Sequence, residues 1–381
     1  MLHFSEEQNM IKDMVSKLAR NHIGPLAKDA DISGYSSPKI VEHLAEAGLL
    51  KMGLPEEFGG IGAGHTTTAL VVEEMAKTDA SAAMIVFVTQ SLIQILKRWA
   101  NEEQKQHFFS NMSSGDKINA FSLTEPNYGS ESASIQTKAV LSEAYYVVNG
   151  TKIFVTNGDI ADFFVVFVRT GEGERQRGLS ALVVEKGTPG FSLGKHEQKL
   201  GLRGSDLCEL LFTDARVPQR NLLSSPGQGW DILMTSGADM RAYGPGAMAV
   251  GLAQGALDYS ASYAKNRVQF GSPLADMAPI RFMLADMCIQ IEAARSLLYR
   301  TTALLDSDQD QGPQRSRLTS AAKCFASDVA MKVTTDAVQV LGGYGVMKDY
   351  PVERMWRDAK MIQIFDGTNQ IQRLIVARSL L

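Results

Sequence analysis

The spacing of apolar side chains divides the chain into a helical third, a strand-rich third and a second helical stretch. Over 5–25, Met10, Ile11, Met14, Val15 and Leu18 recur at helical spacing, which predicts a helix that ends before Pro25. A second helix, over about 37–50, stops near Gly48 and gives way to Leu54-Pro55-Glu56-Glu57-Phe58-Gly59-Gly60, a turn-rich loop. Apolar-rich helices follow at about 65–78, 80–98 and 102–112. Near 118 the period changes. Ile118 to Thr124 predicts a strand, and from about 138 short β runs alternate with turns. Residues 145–148 and 152–156 flank Asn149-Gly150, a hairpin signal, and a further turn is marked by Asn157-Gly158. The apolar runs 163–168 and 179–184 predict buried central strands; two more strands follow at about 191–197 and 208–214, before Val217-Pro218. After Gly227-Gln228-Gly229 helical spacing returns at about 230–265, 275–306, 314–341, 351–360 and 367–380, with a polar connection over 307–315.

Composition narrows the class. At 381 residues the chain exceeds what one hydrophobic core serves, so several domains are expected, divided as 1–117, 118–227 and 228–381. It is 45% hydrophobic and 21% charged with a formal net charge of −4, an ordinary globular balance that offers no basic surface for nucleic acid. Cys208, Cys288 and Cys324 are widely spaced, which argues against a disulfide framework or a metal site and fits a reducing compartment. No uninterrupted apolar run reaches the roughly 18 residues of a membrane span. The start, Met1 to Gln8, is acidic and polar rather than signal-like, so a cytoplasmic protein is expected.

Chemistry concentrates near the end. Ile364-Phe365-Asp366-Gly367-Thr368-Asn369-Gln370 puts one acidic residue in a Gly-Thr turn at a helix start. A carboxylate there can act as a base, and the unspent N–H groups can hold an anion or a polarised oxygen. Leu123-Thr124-Glu125-Pro126-Asn127-Tyr128-Gly129-Ser130-Glu131 follows a strand; it reads either as a plain turn or as a loop that approaches a planar ring or a phosphate. Phe154 and Thr156 share one face of a strand by the period of two, and Phe154 alone reads as core. Arg267, in Asn266-Arg267-Val268-Gln269-Phe270-Gly271, alone reads as a surface arginine ending a helix, although a guanidinium suits phosphate. Gln339-Val340-Leu341-Gly342-Gly343-Tyr344-Gly345 is glycine-rich, but no strand–turn–helix follows it, which excludes a dinucleotide fold of the Rossmann kind.

The Thr-Glu-Pro loop and the C-terminal signature, in this order, resemble the acyl-CoA dehydrogenase family, and the resemblance runs from Glu7 to Arg378. It implies an α+β architecture: an N-terminal α-helical domain, a middle antiparallel β domain and a C-terminal four-helix-bundle domain. It also implies FAD, an acyl-CoA substrate, an electron-transfer flavoprotein as partner and a homotetramer. By the same resemblance, Phe121, Leu123, Thr124, Gly129 and Ser130 line the flavin and the pantetheine. Phe154 stacks near the isoalloxazine and Thr156 bonds its polar edge. Arg267 and Phe270, with Gln339, Gly342 and Gly343, reach the FAD of a neighbouring subunit, and Thr368, Asn369 and Gln370 contact the same cofactor. Substrate contacts are expected from Ser91, Ser130, Asp239, Arg241 and Gly367.

The departures from the family pattern are informative. Asp366 stands where the family usually has Glu, a reach shorter by roughly 1.5 Å, one C–C bond. Glu131 replaces an aspartate of structural role. Arg241 falls where some members carry an alternative glutamate base, or one residue away, where it becomes a CoA-contacting arginine. The Asp-for-Glu exchange resembles the subgroup acting on alicyclic thioesters such as cyclohexane-1-carboxyl-CoA. A cyclic or α-branched acyl group is therefore expected, dehydrogenated between its α and β carbons with Asp366 as base. No acid lies near Thr89-Gln90-Ser91, which argues against 1,4-elimination. Competing readings are a short straight-chain substrate, a carrier-protein thioester, a desulfinase-like lyase, or a catalytically silent, flavin-binding member acting in a complex.

Overall fold

The computed structural model describes residues 4–171, 175–307 and 312–381. Ser5 opens the first helix, α1 (Glu6–Leu18), with a capping box: its side chain accepts from the backbone of Gln8, whose side chain answers the backbone of Ser5. The expected stop before Pro25 does not occur. A π turn (Ala19–Ile23) leads directly into α2 (Gly24–Ser33), with the proline in the first turn of α2, where its missing N–H removes no hydrogen bond. Four more helices follow, α3 (Pro38–Glu46), α4 (His65–Ala76), α5 (Ala80–Trp99) and α6 (Glu102–Met112). Among the described residues α5 alone is long and apolar enough to cross a membrane, and 89% of its most apolar window is buried inside the protein.

The middle of the chain builds one 7-stranded sheet from β1 (Asn119–Ser122), β2 (Lys138–Ser142), β3 (Tyr145–Thr156), β4 (Phe163–Arg169), β5 (Leu179–Glu185), β6 (Phe191–His196) and β7 (Leu207–Pro218). The strand order is β1-β4-β2-β3-β7-β6, with β5 on the remaining side of β4. Hairpin partners are antiparallel, whereas β1 runs parallel to β4. β4 and β5 are buried on both faces, which explains their unbroken apolar runs. Phe164, Val166 and Val168 join the core shared with the long helices; Phe163, Val165 and Phe167 pack with Leu92, Ile95, Phe108 and Phe109 of α5 and α6.

Asn149-Gly150 is not a hairpin. β3 runs straight through it with a bulge between Val148 and Gly150, and the turn lies earlier, at Glu143, whose φ is 55°. Gly150 is required for proximity: a Cβ there would sit 2.7–2.9 Å from Thr137.

The stretch expected as one helix over 230–265 is in fact segmented. It comprises α7 (Gly229–Met234), α8 (Ser236–Arg241), a π turn (Ala242–Gly246) containing Pro245, and α9 (Ala247–Asn266). Thr235, at φ −103° and ψ −84°, separates the first two pieces, and the proline with no N–H to give accounts for the π turn. A small hairpin, β8 (Val268–Gln269) with β9 (Ser272–Pro273), precedes α10 (Ala278–Asp306) and α11 (Gly312–Leu341). Of the expected connection over 307–315, residues 308–311 lie outside the described residues and 312–315 are already helical. A 3₁₀ turn (Gly342–Val346), α12 (Pro351–Ile362) and α13 (Asn369–Arg378) complete the chain. α11 is the central post of this half, packed by α9, α10, α12 and α13.

Candidate active site

The turn between α12 and α13 departs from ordinary backbone geometry. Asp366 sits at φ 52° and Gly367 at φ 85°, two consecutive residues in the left-handed region. For a residue with a Cβ this conformation costs roughly 1–2 kcal/mol, so the turn has to be held from outside. Gln372 does so from α13, its Nε2 donating to the carbonyls of Asp366 and Gly367 at 3.0 Å each. Lys323 does so from α11, donating to the Gly367 carbonyl and to Asn369 Oδ1, both at 2.9 Å. Thr368 caps α13 by accepting from the Ile371 N–H at 3.3 Å.

The consequence is a carboxylate held apart from partners. Asp366 Oδ2 is out of solvent and has no hydrogen-bond partner. Burial pushes the acid up to about 6, while the nearby cations Lys323 and Arg241 pull the other way. The backbone N–H groups of Asp366 and Gly367 donate to no described residue. A base and unspent donors therefore share one turn, which suits proton abstraction next to a carbonyl that must be polarised.

Arg241, at the end of α8, is only 8% exposed, and its one hydrogen bond among the described residues goes to Ser320 Oγ at 3.3 Å. Burial lowers its guanidinium from the ordinary value, while the nearby carboxylates of Asp366 and then Asp239 oppose this. Asp239 is also nearly buried and is clasped by Arg315 through Nε and Nη2 at 2.7 and 2.6 Å. Both border a cleft of about 180 Å³ rimmed by His65, Gln94, Lys97 and Arg98. Ser91 differs from expectation. It is fully buried, and its one hydroxyl proton goes to the Phe87 carbonyl at 2.9 Å inside the helix.

A second group of expected residues faces outward. Phe154 is not core: it lies in a bulge between Lys152 and Val155 at φ 57° and is 56% exposed. The bulge interrupts the strand's alternation and aims the ring out of the sheet. Thr156, two residues on, pairs with Leu207 and is partly exposed. Gly129, Gly342 and Gly343 have open space where a Cβ would be, Ser130 and Gln339 are exposed, and Phe270 is 98% exposed at the tip of the small hairpin. The Arg267 guanidinium lies 5.4 Å from the ring centre of Tyr344, which brings it to the Gly342–Gly345 turn. Phe121 packs on Phe167 with ring centres 5.2 Å apart, and Leu123 and Thr124 spend their carbonyls on Lys152 and Ile153. Gln370 is exposed. Asn369 is the correction in this group: its side chain is buried against α11, bonded to Ser327 and Asp328 at 2.8 Å each, and has no capacity left for a cofactor.

Three residues that hold the site were not singled out from the sequence. Glu125 is buried and accepts from the backbone of Gln136 (2.5 Å) and Thr137 (2.8 Å) and from Lys152 Nζ (2.8 Å), which pins the loop leading to Ser130. Lys152, fully buried, is lowered to about 8 by its burial, against the pull of Glu125. Lys323 is the third. The one available signal was a lysine inside an otherwise apolar strand or helix stripe. Glu131, the family departure, accepts from Ser134 at 2.7 Å and pairs with Arg175 at 3.1 Å, a structural part an aspartate also plays.

Comparison with known proteins agrees with this layout. Three family models match in chain order: acyl-CoA dehydrogenase N-terminal domain over 5–116, middle domain over 120–215 and C-terminal domain over 227–381. An acyl-CoA dehydrogenase of Bacillus subtilis (strain 168) is 42% identical over 381 residues, which span 100% of this chain and 99% of that protein. A cyclohexane-1-carbonyl-CoA dehydrogenase of Geobacter metallireducens is 40% identical over 382 residues, with 100% and 99% coverage. The solved butyryl-CoA dehydrogenase of Megasphaera elsdenii shares 37% identity at a TM-score of 0.95, covering 100% of this chain and 99% of that one.

Proposed function

The chain belongs to the acyl-CoA dehydrogenase family, and we propose that Asp366 is the base that removes the α proton of a cyclic or α-branched acyl-CoA. The enzyme is an oxidoreductase acting on CH–CH bonds, and its cofactor is FAD. The residues present fit that group: an outward aromatic on a bulge at Phe154, open backbone at Gly129, Gly342 and Gly343, and Arg267 beside the glycine turn. When bound, FAD supplies the two-electron acceptor for the β hydrogen.

The observation that carries the assignment is the Asp366 turn. A carboxylate that has no partner at Oδ2 and is raised to about 6 remains largely ionised near neutrality, yet is a stronger base than an exposed aspartate. The free N–H groups of Asp366 and Gly367 are available to bind the thioester oxygen, whose polarisation acidifies the α carbon. The shorter reach of Asp requires the α carbon to lie nearer α13, because a misplacement of about 1 Å costs about a hundredfold in rate. A ring or α branch brings substituents against the helix wall and suits a retracted base. We assign Asp239, Arg315 and the adjoining cleft to the CoA arm, and Arg241 to the acyl end, a reading supported by the cleft that Asp239 and Arg315 border. We take an electron-transfer flavoprotein as the acceptor and a homotetramer as the assembly; the exposed Phe270, Val268, Phe282 and Ile289 support self-association.

Anaerobic bleaching of the bound flavin tests the reading. Cyclohexane-1-carboxyl-CoA is expected to bleach wild type faster than butyryl-CoA or octanoyl-CoA, and Asp366→Ala to abolish bleaching by all three. Bleaching that survives the substitution shows that the proton goes elsewhere. Preference for a straight chain refutes the substrate class alone.

A further inference from the structure

We propose that Lys323 is a positioning residue for the base: it holds the Asp366–Gly367 turn in its left-handed form and supplies the positive field that keeps the buried Asp366 carboxylate ionised. The proposal rests on the reading of Asp366 as the base.

Lys323 is fully buried on α11, yet among the described residues no carboxylate lies within ion-pair distance of it. A buried ammonium without a contact anion is costly. Its two hydrogen bonds, to the Gly367 carbonyl and Asn369 Oδ1 at 2.9 Å, are ones a neutral donor also makes. The charge therefore needs a separate reason, and Asp366 provides it.

Asp366, from the turn before α13, is the strongest charge acting on Lys323; Arg241 from α8 and Asp328 on its own helix act more weakly, and the adjacent Cys324 thiol is pushed up by burial, which keeps it neutral. In return, Asp366 is faced by two cations, Lys323 first and Arg241 second, against the effect of burial. Burial brings the acid up to about 6 and the lysine down to about 8. Between these values the base is ionised and its counter-charge is present. Below the window the base is protonated; above it the field that sustains the base fades.

The turn does not depend on Lys323 alone, which makes substitution informative. Gln372 still holds the carbonyls of Asp366 and Gly367, and Ser327 Oγ still reaches Asn369 Oδ1 at 3.1 Å. Lys323→Gln keeps a donor and loses the charge; Lys323→Met loses both; Lys323→Arg keeps the charge.

The test is the pH profile of anaerobic flavin reduction in the holoenzymes, using the thioester that reduces wild type fastest. Removing a nearby cation raises the acidic limb, by about one pH unit. Lys323→Gln and Lys323→Met are then expected to slow about tenfold on the acid side of neutrality and to converge with wild type at alkaline pH. Lys323→Arg is expected to restore the limb in part. A second readout needs no turnover: the protonated-carboxyl infrared band absent from Asp366→Asn persists to higher pH in Lys323→Gln. A limb and band at the wild-type position in both neutral variants, or a rate loss equal at every pH, overturns the electrostatic role. Asp366→Asn run alongside separates the two readings. If it still reduces flavin at the wild-type rate, the base is another group and both readings fall. If it is dead while the limb stays put, only the assignment of Lys323 falls.

Discussion

The buried pair of Glu125 and Lys152 gives the sharpest test of how the loop leading to Ser130 is held. Glu125→Gln changes shape little but removes a charge that faces Lys152 Nζ at 2.8 Å and two backbone donors, Gln136 and Thr137. With its amide oxygen at the place of Oε1, glutamine still accepts from Thr137 and Lys152, but its NH2 then faces the Gln136 N–H, donor against donor, and the ammonium keeps only neutral acceptors, this oxygen and the Leu123 carbonyl 3.0 Å away. Leaving one partner of a buried pair uncompensated costs about 3–5 kcal/mol. Lys152 can escape part of that cost by losing its proton, since burial already lowers it from 10.5 to about 8 with Glu125 present, and without Glu125 it falls further. A base depressed in the folded state stabilises at high pH and loses that stability as pH falls through its folded value. The variant's deficit is therefore expected to be largest in acid and to shrink through neutrality into the alkaline range. Urea unfolding followed by circular dichroism, at about pH 6, 7.5 and 9, measures it. The double variant Glu125→Gln with Lys152→Met is expected to be more stable than Glu125→Gln alone. A deficit below about 1 kcal/mol in acid, or a double variant no better than the single, refutes the account.

Two further outcomes follow from single side chains. Phe154→Ala removes a ring that is 56% exposed in the protein alone, so stability of the apoprotein is expected to stay within about 0.5 kcal/mol while FAD dissociates more readily; fluorescence of released flavin on dilution reads the difference. Asp358, buried on α12 and accepting from the Leu202 N–H at 2.5 Å, is pushed up to about 7 by burial. An acid raised in the folded state contributes stability that is full in acid and lost as pH rises through that value, so Asp358→Asn is expected to gain on wild type from acid to mildly alkaline pH. Thermal midpoints against pH check it, and parallel curves contradict it.

The three-part architecture was legible in the sequence, as was the acidic turn on which the proposed base sits. Element type was legible where periodicity was strong, as in β4 and β5, whose apolar runs match strands buried on both faces. Local punctuation misled at Pro25, which a π turn absorbs, and at Asn149-Gly150, where glycine serves the approach of Thr137 and not a turn. At Gly150 a tertiary neighbour decided the local conformation, whereas at Pro25 the helix continues because the proline falls in the first turn of α2, where its missing N–H costs nothing. In the site, Asp366 was readable because its turn residues are contiguous. Lys323 and Glu125 were not, because their partners lie 44 and 27 residues away in the chain and nothing local marks the contact. Asn369 and Ser91 were assigned by resemblance, but both are buried, the Asn369 amide bonded to α11 and the Ser91 proton given to the Phe87 carbonyl.

The two-faced burial of β4 and β5 has a consequence for how the protein comes apart. Each strand is a party wall between two cores, one built with α5 and α6 and the other with the long helices. Peeling either strand away opens both rooms at once, so no intermediate with one core melted and the other intact is favoured. The amide hydrogens of Phe163–Arg169 and Leu179–Glu185 are then released to solvent only by global opening, as late as any in the chain. A graft that exchanges the sheet between relatives has to bring α5 and α6 with it.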